Sequence, residues 1–144
     1  LLAEREARDA NNGIKIAFAR PQRGSATVLG DPGRLARTFE NLIDNAISFS
    51  PPDGVVRITA TCSDEIVIAT VEDDGPGVPA ASREAIFDRF HSDRPEGEEF
   101  GRHSGLGLAI ARTIVEGHNG TIEVRERSSE QSGALFVVTL PAAR

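Results

Sequence analysis

The chain has 144 residues, of which 39% are hydrophobic and 26% charged, with a formal net charge of −6. That length fits one domain with one core of ordinary size, and the acidic balance excludes a general grip on nucleic acid, which needs clustered Lys and Arg. The single cysteine, Cys62, excludes an internal disulfide and makes a reducing compartment the expectation. Lying in a strand-like run, it reads as a buried structural thiol. No apolar run approaches the roughly 20 residues of a membrane helix, and the sequence does not open on a basic-then-apolar leader. It opens without Met in a charged, helix-like segment. The expectation is a piece of a longer protein, with residues 1–12 the remnant of a dimerisation helix or linker and 13–144 the domain.

Residues 1–11 are rich in Ala, Glu and Arg and favour a helix end, which Asn12-Gly13 stops. Ile14, Ile16 and Phe18 alternate with Lys15, Ala17 and Ala19, a strand pattern. Residues 20–25 read as a loop and 27–29 as a short strand. Asp31-Pro32 predicts a helix start, because Asp caps free amides and Pro fits the first helical position. That helix is expected to run to Phe49, with Leu35, Phe39, Leu42, Ile43, Ala46 and Phe49 forming one apolar face. Ser50-Pro51-Pro52-Asp53-Gly54 ends it. Strands over 55–62 and 66–71 follow, joined by a turn at Ser63-Asp64-Glu65, then a short helix over 80–88. Residues 91–104 are polar, with Pro95, Gly97 and Gly101, and predict a long mobile loop. A helix over 107–116 stops at His118-Asn119-Gly120, and strands over 121–126 and 134–140 close the chain as a hairpin. The order β-α-β-β-α-α-β-β pairs strands that are adjacent in sequence, which disfavours a doubly wound sheet. It predicts a two-layer α/β (α+β) sandwich, a mixed and largely antiparallel sheet of about five strands with helices packed on one face.

Three segments carry the chemistry. Asn41 and Asn45 are one helical turn apart and share a face with Arg37 and Ser48, displaced from the apolar stripe. Asparagine is a mediocre helix former, and its amide oxygen is a hard ligand suited to Mg²⁺. The same stripe also suits a solvated polar face. Asp73-Asp74-Gly75-Pro76-Gly77-Val78 follows a strand, so its glycines permit close backbone approach and its carboxylate can accept a bond from an exocyclic amine. A plain turn would read the same way. Gly105-Leu106-Gly107-Leu108 opens a helix, whose N-terminal amides make an anion site. No Gly-Lys-Ser/Thr follows it, so it is not a Walker loop, and Ile110 stands where a dinucleotide fingerprint has its third glycine.

Taken together, these segments resemble the catalytic ATP-binding domain of bacterial two-component sensor histidine kinases, in the wider group of gyrase, Hsp90-type chaperones and mismatch-repair ATPases, with its Bergerat-type ATP-binding fold. Asn41-Leu42-Ile43-Asp44-Asn45-Ala46 resembles the asparagine box and residues 73–78 the first glycine box. Ile86-Phe87-Asp88-Arg89-Phe90 resembles the phenylalanine box before a lid, residues 104–108 the second glycine box, and residues 133–141 the closing strand. The resemblance implies that Asn45 coordinates Mg²⁺ and Asn41 supports the phosphates or the metal's waters. It implies that Asp73 reads the adenine amine, with Gly75, Gly77 and Val78 shaping the approach. Arg89 is then a phosphate contact at the base of the lid, and Ser104, Gly105, Leu106, Gly107 and Leu108 wrap the phosphates. Phe87 and Phe90 anchor the lid by burial.

Hydrolytic relatives carry a Glu base four residues before the metal-binding Asn. Here that position is Asn41, and Glu40 is turned about 100° away. The resemblance therefore favours a kinase over an ATP-hydrolysing clamp; a degenerate nucleotide-sensing or docking module without phosphotransfer is the alternative, motivated by Ser48 and His103. The chain departs from the family at Ser48, where a Lys is common, at His91-Ser92 and at His103. His91, His103 and His118 lack a phosphoacceptor setting and read as surface or capping residues. The implied cofactors are ATP and Mg²⁺. The implied partners are the protein's own dimerisation domain, which carries the acceptor histidine, and a response regulator. The implied parent is a membrane-anchored homodimer of the bacterial inner membrane, with this domain cytoplasmic and monomeric when isolated.

Overall fold

The computed structural model describes residues 15–19, 28, 30–63, 65–88, 107–127 and 132–142. In chain order the elements are β1 (Lys15–Ala19), α1 (Pro32–Phe49), β2 (Val55–Cys62), β3 (Ile66–Glu72), two single 3-10 turns (Ala80–Ser82 and Ala85–Phe87), α2 (Gly107–Gly117), β4 (Thr121–Glu126) and β5 (Ala134–Pro141). The strands form one five-stranded sheet in the order β1-β2-β3-β5-β4. β1 runs parallel to β2 and every other neighbour is antiparallel. This is the predicted two-layer sandwich, and the parallel edge makes the sheet mixed.

Strand alternation decides which side is covered. Val67, Ala69 and Val71 of β3 are buried, and the register sets Val71 opposite Ile58 on β2 and Phe136 on β5. Leu42, Ile43 and Ala46 of α1 and Val115 of α2 close onto this row in one core. Burying each of the Val, Leu and Ile side chains among these stabilises the fold by about 1.5–3 kcal/mol. α1 begins as its sequence predicts: the Asp31 Oδ1 accepts from the Gly33 and Arg34 N–H groups at 3.0 and 3.1 Å, with Pro32 in the first turn. α2 ends in a Schellman arrangement, with Asn119 at φ 63° and the Gly120 N–H donating to the Val115 carbonyl at 2.9 Å. His118 ties the helices together: one ring nitrogen bonds the Ile114 carbonyl at 2.8 Å and Nε2 accepts from the Asp31 N–H at 3.0 Å. The capping reading of His118 therefore holds.

Three expectations change. The helix expected over 80–88 is instead two 3-10 turns closed by the Ser82 N–H to Pro79 and Phe87 N–H to Glu84 carbonyl bonds. Burial of Ile86 and Phe87 in the core fixes the second turn. Cys62 is half-buried, as the last residue of β2, rather than buried. Val28 is not in a strand. The expected strand's other residues, the remnant over 1–12 and the loop over 91–104 lie outside the described residues. No helix among the described residues is long and apolar enough to cross a membrane.

Candidate functional site

The site forms where α1 meets both glycine segments. Asn41, Asn45 and Phe49 are spaced one turn apart along α1. At one end of this row the Asn41 Nδ2 donates to the Gly107 carbonyl at 3.1 Å, where α2 opens. At the other, the Phe49 carbonyl lies so near Gly75 that a Cβ there would sit 2.5 Å from its oxygen. Asn45 stands between these contacts, so a single helix row gathers the two segments.

Asp73 arrives from the other layer. It continues the row of Val67, Ala69 and Val71, and strand parity turns it toward the helices. It is 1% exposed. Its Oδ1 accepts from the N–H groups of Gly75 at 2.8 Å and Ala134 at 3.2 Å, and its own N–H donates to the Ala134 carbonyl at 3.0 Å. Its Oδ2 accepts no hydrogen bond from the described residues. A buried carboxylate oxygen with no donor among the described residues is open to accept from a ligand. Burial raises the Asp73 pKa, and the negative charge of Asp74 adds to that. The Gly75 and Ala134 N–H groups and the Arg127 guanidinium work against it.

Asp74 has the opposite environment. It faces the outer side of the sheet, where its Oδ2 accepts from the Val55 N–H at 2.9 Å and its Oδ1 from Arg57 at 3.2 Å and from Arg127. Burial pushes its pKa up, but the Val55 N–H and the two guanidinium groups outweigh burial and hold it below the ordinary carboxylate value. Glycine is required where these segments cross. Gly133 has φ 135°, and a Cβ there would lie 2.0 Å from the Asp73 carbonyl oxygen; Gly77 has φ 80° and rests against the Gly133 carbonyl.

The segment 80–88 is anchored to the core. Phe87 is 5% exposed and meets Phe136 edge to face, with centroids 6.2 Å apart. Arg112 of α2 lies 5.7 Å over the Phe87 ring and 3.3 Å from Glu84. Arg83 reaches back to the Val78 carbonyl at 3.3 Å.

Residues 30–144 match the family described as histidine kinase-, DNA gyrase B-, and HSP90-like ATPase. The chain belongs to that family. The sensor protein ChvG of Rhizobium meliloti (strain 1021) is 45% identical over 124 residues, which are 83% of this chain and 22% of ChvG. The chain thus spans 22% of the length of that curated relative. The catalytic domain of histidine kinase ThkA, in a nucleotide-free form, superposes with a TM-score of 0.82 at 27% identity, covering 97% of this chain and 86% of that one. Full-length ShkA in complex with AMPPNP superposes with a TM-score of 0.81 at 30% identity, covering 99% of this chain and 28% of that one. The chain is an ATP-binding catalytic domain of the sensor histidine kinase type.

Of the expected site residues, Asn41 bonds Gly107, Gly75 lies against Asp73 and the Phe49 carbonyl, Gly77 lies against Gly133, Asn45 sits on α1 between Asn41 and Phe49, and Val78 and Leu108 pack against the core. Arg89, Ser104, Gly105 and Leu106 lie outside the described residues, as do Phe90, His91 and His103. Among the described residues no group of three or more His, Cys, Asp or Glu side chains is placed to hold a metal. The Ser48 Oγ, one turn beyond Asn45, is buried with no partner among the described residues. Pattern reading passed over Arg57 and Arg127, and it gave no role to Asp74 or Gly133 although both lie in segments it singled out. Only the strand register brings them together behind Asp73.

Proposed function

We propose that this domain binds Mg-ATP in the space framed by α1, Asp73 and the two glycine segments, and that in the intact protein it presents the γ-phosphoryl group to a histidine on the dimerisation domain. The phosphoryl group would pass from there to a response regulator. In this reading Asp73 Oδ2 accepts from the adenine 6-amine. Gly75 and Gly77 let the ring approach the backbone, with Val78 beside it. Asn45 holds Mg²⁺, which supplies charge neutralisation at the phosphates when bound, and Asn41 holds the start of α2 so that its N–H groups face them. Arg89 and residues 104–108 complete the phosphate contacts. Asn41 stands where a hydrolytic relative has its base, which favours transfer to a protein acceptor over hydrolysis. The intact protein is, in this reading, a membrane-anchored homodimer with this domain on the cytoplasmic side. The supporting observation is the buried Asp73, with one oxygen that accepts from no described residue, on the sheet face covered by the Asn41–Asn45 helix.

Two measurements test the proposal. Calorimetry with Mg-ADP is expected to give saturable binding to residues 1–144; no heat at millimolar ligand would defeat it. With γ-labelled ATP the domain is expected to stay unlabelled alone and to label an added dimerisation domain of the same protein in trans. Ready self-labelling, or a robust ATPase rate, would contradict the mechanism.

A further inference from the structure

A charged cluster lies on the outer face of the sheet, directly behind Asp73. Strand parity sends Arg57 of β2, Glu72 of β3 and Arg127, just beyond β4, to this side, together with Asp74. Arg127 is its hub. Nη2 lies 2.7 Å from Glu72 Oε1, and Nη1 lies 2.5 Å from Asp74 Oδ1 and donates to the Ser132 carbonyl at 3.0 Å. One guanidinium therefore grips the residue on each side of Asp73. Through Ser132 it also holds the segment leading to Ala134, whose N–H donates to Asp73 Oδ1. The Arg127 side chain is 6% exposed, and its Nε has no hydrogen-bond partner among the described residues. An apolar cross-link would fill this space without a buried orphan donor. The position therefore calls for a fixed cationic fork rather than for packing.

We propose that Arg127 is a positioning residue for purine recognition: by clamping Glu72, Asp74 and Ser132 it keeps the Asp73 carboxylate fixed and ionised, and so sets both the preference for a 6-amino purine and the acid limit of nucleotide binding. The inference rests on reading Asp73 as the purine acceptor. Burial favours the neutral acid at Asp73, and a neutral acid presents a proton where the amine needs an acceptor. The groups around Asp73 are Asp74 and Glu72 beside it, Arg57 from β2 and Arg127 from the β4–β5 segment. From α1 comes the Phe49 carbonyl near Gly75, a dipole rather than a charge. Of these, Arg127 is the cation that opposes protonation of Asp73.

The test is calorimetric titration of Mg-ATP and Mg-ITP, which lacks the 6-amine, into wild type, Arg127→Met, Arg127→Lys and Asp73→Asn from about pH 5.5 to 8. Protonation of the nucleotide is common to all four proteins and drops out of the comparison. Arg127→Met is expected to weaken Mg-ATP about tenfold near pH 7.5 with little change for Mg-ITP. Its deficit is expected to grow by roughly another tenfold toward pH 5.5, as Asp73 takes up its proton earlier. Arg127→Lys, which keeps the charge and loses the fork, is expected to restore the pH profile while leaving the ATP/ITP ratio reduced. A folded Arg127→Met protein with wild-type ratio and wild-type pH profile overturns the inference. Should that variant fail to fold, Arg127→Lys decides, because an unchanged ATP/ITP ratio in it overturns the inference equally. Asp73→Asn separates the two levels. If it keeps the wild-type ratio, the purine reading itself fails. If it loses the ratio while the Arg127 variants keep theirs, only the role of Arg127 fails.

Discussion

Replacing Asp73 with Asn should separate folding from recognition. The carboxylate is 1% exposed, and burial raises its pKa despite two backbone hydrogen bonds and Arg127. An acid whose pKa is raised by folding stabilises the fold through its protonated form. That contribution is complete below the ordinary Asp value of about 3.9 and is lost as pH rises through the higher folded value. At neutral pH, ionised Asp73 therefore weighs against folding. Asn keeps the shape, and its amide oxygen can go on accepting from Gly75 and Ala134. D73N should thus melt at or above the wild-type temperature near pH 7, with the advantage shrinking as the pH approaches about 4. Recognition moves the other way. With its oxygen held by two N–H groups, the amide places its NH₂ where Oδ2 stood, donor against donor with a purine amine. Losing a hydrogen bond to a charged acceptor costs about 1.5–3 kcal/mol, or roughly 10- to 150-fold in Kd. Thermal unfolding with and without Mg-ATP reads both effects. Ligand at about 100 times the wild-type Kd adds about 2.7 kcal/mol to wild type and only about 0.3–1.4 kcal/mol to the variant. A D73N protein that is less stable than wild type at pH 7, or that binds Mg-ATP equally well, would refute the reasoning.

Gly75→Ala places a Cβ 2.5 Å from the Phe49 carbonyl oxygen and 3.0 Å from Asp73 Oδ1. It should cost about 1–3 kcal/mol in urea unfolding and weaken Mg-ATP at least tenfold by parting α1 from the first glycine segment. Asn41→Ala removes the 3.1 Å bond to Gly107; a loss of about 1 kcal/mol and faster amide exchange in the first turn of α2 are expected. Asp74→Asn tests the opposite pH sign. The Asp74 pKa is depressed in the fold, so its contribution is present above about 3.9 and is lost as pH falls through its lower folded value. Denaturant unfolding should show a gap between wild type and D74N at pH 6 that closes below about pH 4. Phe87→Ala, which empties a site packed edge to face on Phe136, should cost about 3–5 kcal/mol, read by chemical denaturation.

How far the sequence could be read depended on whether the deciding interaction was local. α1 was legible to its ends because Asp31-Pro32 and Ser50-Pro51 act within a turn of their own positions. The five strands of the sheet were legible because alternation is local too, and the asparagine and glycine segments stand out because each is contiguous. The helix expected over 80–88 failed because Ile86 and Phe87 are held by the core rather than by helical periodicity. The Asn41 contact with Gly107 spans 66 residues, and no pattern near either residue announces it. Arg127 was harder still. Arg125-Glu126-Arg127 reads as an ordinary solvated charge run, and Arg125, one step before Glu126, is indeed 60% exposed and pairs with Glu123. What distinguishes Arg127 is the antiparallel register of β4 with β5 and of β5 with β3, which sets it behind Glu72 and Asp74.

The adjacent aspartates show what that register accomplishes. Asp73 and Asp74 are the same side chain, one residue apart, and strand parity turns one toward the helices and the other to the outer face. The inner one is desolvated and its pKa rises; the outer one is wrapped by two guanidinium groups and a backbone N–H, and its pKa falls. On acidification the two must therefore protonate in order, Asp73 first and Asp74 later. Protonation of Asp73 removes the acceptor that purine binding needs while relieving a cost to the fold. Protonation of Asp74 releases Val55, Arg57 and Arg127, which hold the end of the sheet together. Nucleotide binding should consequently fail at a higher pH than folding does. Between the two transitions the domain should be intact and unable to read its base, with the Asp74–Arg127 pair the last part of the site to give way.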